Sequence, residues 1–201
     1  MTRIVAVDVG GTHARFALAS VEGGRVTALA DPVTLKTADH ASFQTAWQHF
    51  GTLAGEPLPR AVAIAIAGPV QGETIRFTNN PWTIRPARLA DELGVDRQTL
   101  VNDFEAVGHA AALADENDFV ALCGPDVRLP STGVISIVGP GTGLGVGLLL
   151  REGERYHVQP TEGGHIDFAP LDSIEDAILS RLRKKYRRVS VERVVSGPAI
   201  V

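Results

Sequence analysis

Residues 4–18 read IVAVDVGGTHARFAL, and residues 134–148 read VISIVGPGTGLGVGL. In both, a β-branched run leads into glycines and a threonine. Apolar residues then recur at every second position: Ala14, Phe16 and Leu18 after the first turn, Leu144, Val146 and Leu148 after the second. A period of two belongs to a strand, so each stretch reads as strand, Gly-Thr turn, strand. Gly11-Thr12 returns as Gly141-Thr142, 130 residues further on, with its flanks, and this repetition predicts two related lobes. The boundary is placed in the polar segment Ala114–Asp118, which gives a small lobe over 1–113 and a second over 114–201.

Working outward, further β-branched runs lie at 61–67 and 99–101, and helical patterns at 42–54, 86–93, 104–114 and 173–186. The class is therefore α/β. Runs such as Ala61–Ala67 are continuously apolar rather than alternating, which predicts a largely parallel central sheet covered on both faces. Arg15–Val33 lacks a helical period, so strands two and three should form a meander with the first, turning at Glu22-Gly23-Gly24.

Composition narrows the function. The chain has 201 residues, 44% of them hydrophobic, with 19 basic and 23 acidic side chains for a net charge of −4. No overall positive field is offered to nucleic acid or to an anionic membrane, so a small molecule or a protein is the expected partner. A single cysteine, Cys123, excludes an internal disulfide framework and suits a reducing compartment such as the cytoplasm. The longest apolar run falls far short of the roughly 20 residues needed to span a bilayer. Ile4–Val7 is too short for a signal peptide.

Glycine-rich turns let backbone amides point into a concavity that a phosphate can approach closely. Two such turns facing each other would clamp a phosphate chain; taken singly, each could equally serve a tight hairpin. No lysine follows the glycines as a P-loop requires. Gly139–Gly145 never spells G-x-G-x-x-G and leads into a strand rather than a helix, which argues against a nicotinamide cofactor. Asp8 ends the first strand beside the turn, where phosphate would repel it unless a divalent cation lay between. Asp8 therefore suggests Mg²⁺ held through water, with a plain turn aspartate as the alternative.

Asn102-Asp103 closes the strand at 99–101 just before a helix, at the carboxyl edge of a sheet where ligands bind. Asp103 also suits an N-cap. Glu162-Gly163-Gly164-His165 sets an acceptor and a two-faced ring close together, as sugar hydroxyls need, although His165 alone reads as a structural histidine and Glu192 alone as a solvated carboxylate. The basic run Arg181–Arg188 reads as the exposed end of a helix opened by Asp172 or Ser173.

Taken in order, DVGGT, NDF, GPGTGLGVG, EGGHIDFAP and VSVERVVSGP resemble the bacterial glucokinases of the hexokinase and actin-like ATPase superfamily, from residue 3 onward. The resemblance implies an actin-like (ribonuclease H-like) α/β fold of two lobes, each with a mixed sheet and flanking helices, the second incomplete. It implies ATP-dependent phosphorylation of glucose at its 6-hydroxyl, an early glycolytic step, in a cleft between the lobes. Asp8, Gly10, Gly11 and Thr12 would form the first phosphate loop, and Gly139, Gly141, Thr142 and Gly143 the second, with ATP and Mg²⁺ as cofactors. Asp103 matches the catalytic base, while Asn102, Asp103, Glu162, His165 and Glu192 match sugar contacts. A homodimer is expected.

The related repressor and sugar kinase family often carries a cysteine-rich zinc motif after E-G-G-H. Here Ile166-Asp167-Phe168-Ala169-Pro170 follows instead, so no zinc is expected. The seven residues before Asp8 are too few for a helix-turn-helix, which speaks against a DNA-binding regulator. The family pattern continues for another hundred residues or so beyond Pro198-Ala199-Ile200-Val201, so the sequence is expected to be a truncated form. The alternatives are a non-catalytic sugar-binding fragment, a kinase for another hexose, or an actin-like ATPase switch.

Overall fold

The computed structural model describes residues 1–77, 80–125 and 129–200; Val201, the last of the apolar closing residues, lies outside them. The chain divides into two compact units, 1–106 and 107–201.

In the first unit, β1 (Thr2–Val9) and β2 (His13–Glu22) form an antiparallel hairpin about the first glycine turn, with Val9 opposite Ala14 and Asp8 opposite Arg15. A second hairpin leads to β3 (Arg25–Leu29) through Gly23 and Gly24, at φ +58° and +79°, the left-handed backbone that glycine adopts without strain. β4 (Val33–Lys36) also pairs with β2, antiparallel. On its other side β1 runs parallel to β5 (Ala61–Ile66), and β5 parallel to β8 (Arg97–Asn102), giving the order β3-β2-β1-β5-β8. The short ribbon β6 (Ile75–Phe77) and β7 (Asn80–Ile84) lies between β5 and β8 in sequence. The sheet is therefore mixed, with a parallel centre and an antiparallel arm. Parallel pairs form only where a helix-bearing connection separates the strands, and β1 to β4 are joined by short turns.

Two helices cover one face. In α1 (Phe43–Ala54), Phe43, Ala46, Trp47 and Phe50 recur at helical spacing and are buried; Ser42 opens it with a reciprocal capping box to Thr45. α2 (Pro86–Leu93) starts with proline at its first position and buries Leu89 and Leu93. Phe16 stacks on Phe50 at 5.1 Å and Phe43 meets Trp82 edge-on at 6.1 Å, within one core that includes Val5, Val7, Val9, Val62, Ile64 and Ile66.

The opposite face departs from the expectation of two covered faces. β5 reads Ala-Val-Ala-Ile-Ala-Ile, and its isoleucines and valine enter the core while Ala61, Ala63 and Ala65 are only partly buried. With Ala6 and Ala17, Ala63 and Ala65 border a cavity of about 320 Å³ that also reaches Asp8, Arg15 and Val101. Alanine counts as apolar in a hydropathy run, yet it fills little volume.

In the second unit, β9 (Thr132–Pro140), β10 (Leu144–Glu152) and β11 (Arg155–Thr161) form an antiparallel meander. Pro140 stands opposite Leu144, so the second glycine turn holds one residue fewer than the first. Each is closed by a backbone bond: Gly10 N donates to His13 O, three residues on, at 2.9 Å, and Gly141 N to Gly143 O, two residues on, at 2.8 Å. Helix α3 (Asp103–Leu113) spans the division, and its Ala112 packs with Leu149 and Val158. Gly108 allows this approach, since a Cβ there would lie 2.4 Å from Val158 Cγ1. Asp172 caps α4 (Ser173–Lys185) through the amides of Ile174 and Glu175, and Arg183, Lys184 and Lys185 fill its last turn.

Candidate active site

The first glycine turn is held from behind by Thr37. Its Oγ1 donates to Gly11 O at 2.9 Å and its N to Thr12 O at 3.0 Å. Among the described residues, the amides of Gly11 and Thr12 meet no acceptor, nor do those of Thr142 and Gly143 in the second turn. Each turn therefore presents two free donors, the arrangement that takes an anion. Asp8 lies on the strand rather than in the turn, and Arg15 Nη1 donates to its Oδ2 at 2.8 Å. A carboxylate at that place, half-exposed and held by one cation, suits a hydrated magnesium ion. The sequence reading missed Arg15, although two residues placed symmetrically about a hairpin turn must face each other.

At the end of β8 the two neighbours divide their roles. Asn102 Oδ1 accepts from Phe104 N at 2.9 Å and Glu105 N at 3.3 Å, Glu105 Oε2 accepts from Asn102 N at 3.4 Å, and Asn102 Nδ2 donates to Gly68 O at 3.1 Å. This is a capping box, so Asn102 is the N-cap and Asp103 the first helical residue. The spacing Asn-x-x-Glu was available in the sequence. Asp103 is left with one oxygen bonded to Phe104 N at 2.9 Å. Burial is the main force that raises its pKa, and the negative charge of Asp8 pushes it the same way.

The other candidates gather in the second unit. A 3₁₀ turn over Gly163–His165 follows β11 and another covers Val191–Arg193. A bridge between Asp167 and Ser190 draws them together, reinforced by Val191 N to Ile166 O at 2.9 Å and Arg188 Nη2 to His165 O at 2.7 Å. His165 Nε2 lies 3.5 Å from Glu162 Oε2, and His165 Nδ1 lies 3.9 Å from Glu192 Oε1. Glu192 is more deeply set, its side chain 24% exposed, and its Oε2 accepts from Leu144 N at 2.9 Å. Gly139 lies within β9, opposite Gly145. Among the described residues, no three His, Cys, Asp or Glu side chains cluster as a metal site, and no helix is long and apolar enough to cross a membrane.

A mixed sheet with a parallel centre, two strand–glycine turn–strand units and a helix opening at Asp103 define the actin-like ATPase fold among sugar kinases. The family model for glucokinase matches residues 5–201. The chain is 60% identical to the glucokinase of Zymomonas mobilis over 197 residues, covering 98% of this chain and 61% of that one. A glucokinase crystal structure from an Antarctic psychrotroph superposes with a TM-score of 0.83 at 30% identity, covering all of this chain and 62% of the other. The fold is also shared with the glucokinase of Balamuthia mandrillaris, solved with glucose: TM-score 0.74 at 24% identity, covering 99% of this chain and 60% of the other. The chain belongs to the glucokinase family and spans about six tenths of the length of these relatives.

Proposed function

We propose that this chain carries the phosphate-binding and hexose-reading residues of an ATP-dependent glucokinase that acts on the 6-hydroxyl of D-glucose in the cytoplasm. The observation that carries this reading is the division of labour at the end of β8. Asn102 takes the capping bonds, which leaves Asp103 a free carboxylate oxygen at a sheet edge, half-buried and with a raised pKa. Such a group suits proton acceptance from a hydroxyl.

MgATP, when bound, supplies the phosphoryl group, and the loose transition state of that transfer asks the protein mainly for positioning and charge stabilisation. The free amides of Gly11, Thr12, Thr142 and Gly143 would donate to phosphate oxygens, and Asp8 would hold a hydrated magnesium ion. Asp103 would orient the 6-hydroxyl and take its proton. Glu162, His165 and Glu192 would accept from and donate to neighbouring sugar hydroxyls, which galactose presents differently. Asn102 supports this work as a cap; its remaining amide hydrogen could reach a sugar.

Calorimetric titration of the folded chain with glucose, using galactose as control, tests the sugar half: selective, saturable glucose binding is expected, and its absence in a folded chain refutes the assignment. Replacing Asp8 by Asn should weaken the magnesium dependence of turnover in the enzyme. Unchanged magnesium dependence overturns that role.

A further inference from the structure

We propose that Glu192 is a positioning residue that couples hexose binding to the order of the second glycine turn, so that the sugar prepares that turn for phosphate. The inference rests on the glucokinase reading above and adds a link between its two ligands. Within the second unit, one carboxylate faces both parts. Oε2 accepts from the Leu144 amide at 2.9 Å, at the residue where the turn becomes β10. It also presses on the turn itself, because a Cβ on Gly143 would lie 2.4 Å from Oε2. Oε1 points the other way, 3.9 Å from His165 Nδ1 and too far for a hydrogen bond.

The bond to Leu144 is charge-assisted and only partly exposed, and its partner lies 48 residues away. The remaining fastenings of the turn are sparse: Gly197 N donates to Gly141 O at 2.8 Å, and Gly164 packs against Leu144 O. A sugar hydroxyl donating to Oε1, with His165 beside it, would restrict the carboxylate and through Oε2 the Leu144 amide. The neighbouring free amides of Thr142 and Gly143 would then be held in place to donate. Coupling of this kind is reciprocal, so phosphate bound at the turn would strengthen hexose binding by the same factor.

Amide hydrogen exchange on the ¹⁵N-labelled chain tests this, with the Val158 amide in β11 as an internal reference. Glucose at saturation should slow exchange at Leu144 by at least about fivefold in the wild type, and galactose should not. In Glu192→Ala, Leu144 should exchange about tenfold faster without ligand while Val158 is unchanged, and the glucose effect at Leu144 should vanish. Glu192→Gln, which keeps an oxygen for the Leu144 amide, should restore the ligand-free protection; its failure to do so counts against the link. Saturable glucose binding that leaves Leu144 untouched, or that slows it equally in Glu192→Ala, overturns the coupling and leaves the glucokinase reading standing. A wild-type chain that binds no hexose overturns both.

Discussion

Replacing Gly164 by Ala puts one methyl group against a backbone carbonyl. The new Cβ would lie 2.1 Å from Leu144 O, 3.0 Å from Leu144 Cβ and 3.1 Å from Leu144 C. Carbon–oxygen contacts between neighbouring chains fall at about 3.3–3.6 Å, so the turn Gly163–His165 must retreat from β10 by about 1 Å. Neither neighbour can yield cheaply. Leu144 is fixed by the strand pairing to Pro140 and by Glu192, and the turn is fixed by Arg188 and by the bond from His165 N to Glu162 O at 3.0 Å. Overpacking of this kind costs about 1–3 kcal/mol. For a unit of this size that corresponds to a fall in melting temperature of about 4–8 °C per kcal/mol. The same retreat carries His165 away from Glu192, so glucose affinity should fall at least about tenfold, judged against a bond to a charged acceptor worth about 1.5–3 kcal/mol. Gly141→Ala is the control, since a Cβ there meets nothing within 4 Å; its stability should stay within about 0.5 kcal/mol of wild type. Thermal melts and glucose calorimetry on both variants decide the matter. A Gly164→Ala chain that melts and binds glucose like the wild type would refute the idea that close packing of this turn on β10 sets the sugar site.

Asp103→Asn should abolish turnover in the enzyme while glucose still binds, measured by a coupled assay beside calorimetry. Because the folded pKa of Asp103 is raised, its charged form is disfavoured in the fold: the variant should melt above the wild type at pH 7 and lose that advantage as pH falls from the raised folded value to the ordinary aspartate value, with none left below it. The acid limb of turnover should likewise lie above that range, since the base must be ionised. Arg15→Ala removes the cation that neutralises Asp8, so the acid limb should move to still higher pH in a pH–rate profile; an unmoved limb would show that the pair has no bearing on Asp103. Thr37→Val keeps the shape but deletes the bond to Gly11 O, and should cost about 1 kcal/mol by chemical denaturation.

What the sequence determined by itself is whatever local chemistry decides. The helices at 43–54, 86–93, 103–113 and 173–185 begin at Ser42, Pro86, Asn102 and Asp172, whose side chains or ring suit a helix start whatever surrounds them. The strand–turn–strand repeat was equally legible, because alternation and glycine act within a dozen residues of each other. The hairpin at Gly23-Gly24 likewise needs only a left-handed backbone. Tertiary structure decided the rest. The parallel run of β1 beside β5, and of β5 beside β8, joins residues tens of positions apart, and the alanine face of β5 differs from its valine and isoleucine face only once helices cover one side. Thr37 reaches Gly11 across 26 residues, and Glu192 reaches Leu144 across 48. Nothing in the residues near Glu192 says that its carboxylate will meet an amide so far away. That contact exists because the bridge at Asp167 and Ser190 folds one 3₁₀ turn against another, and packing, which acts in space, sets distances that local sequence does not contain.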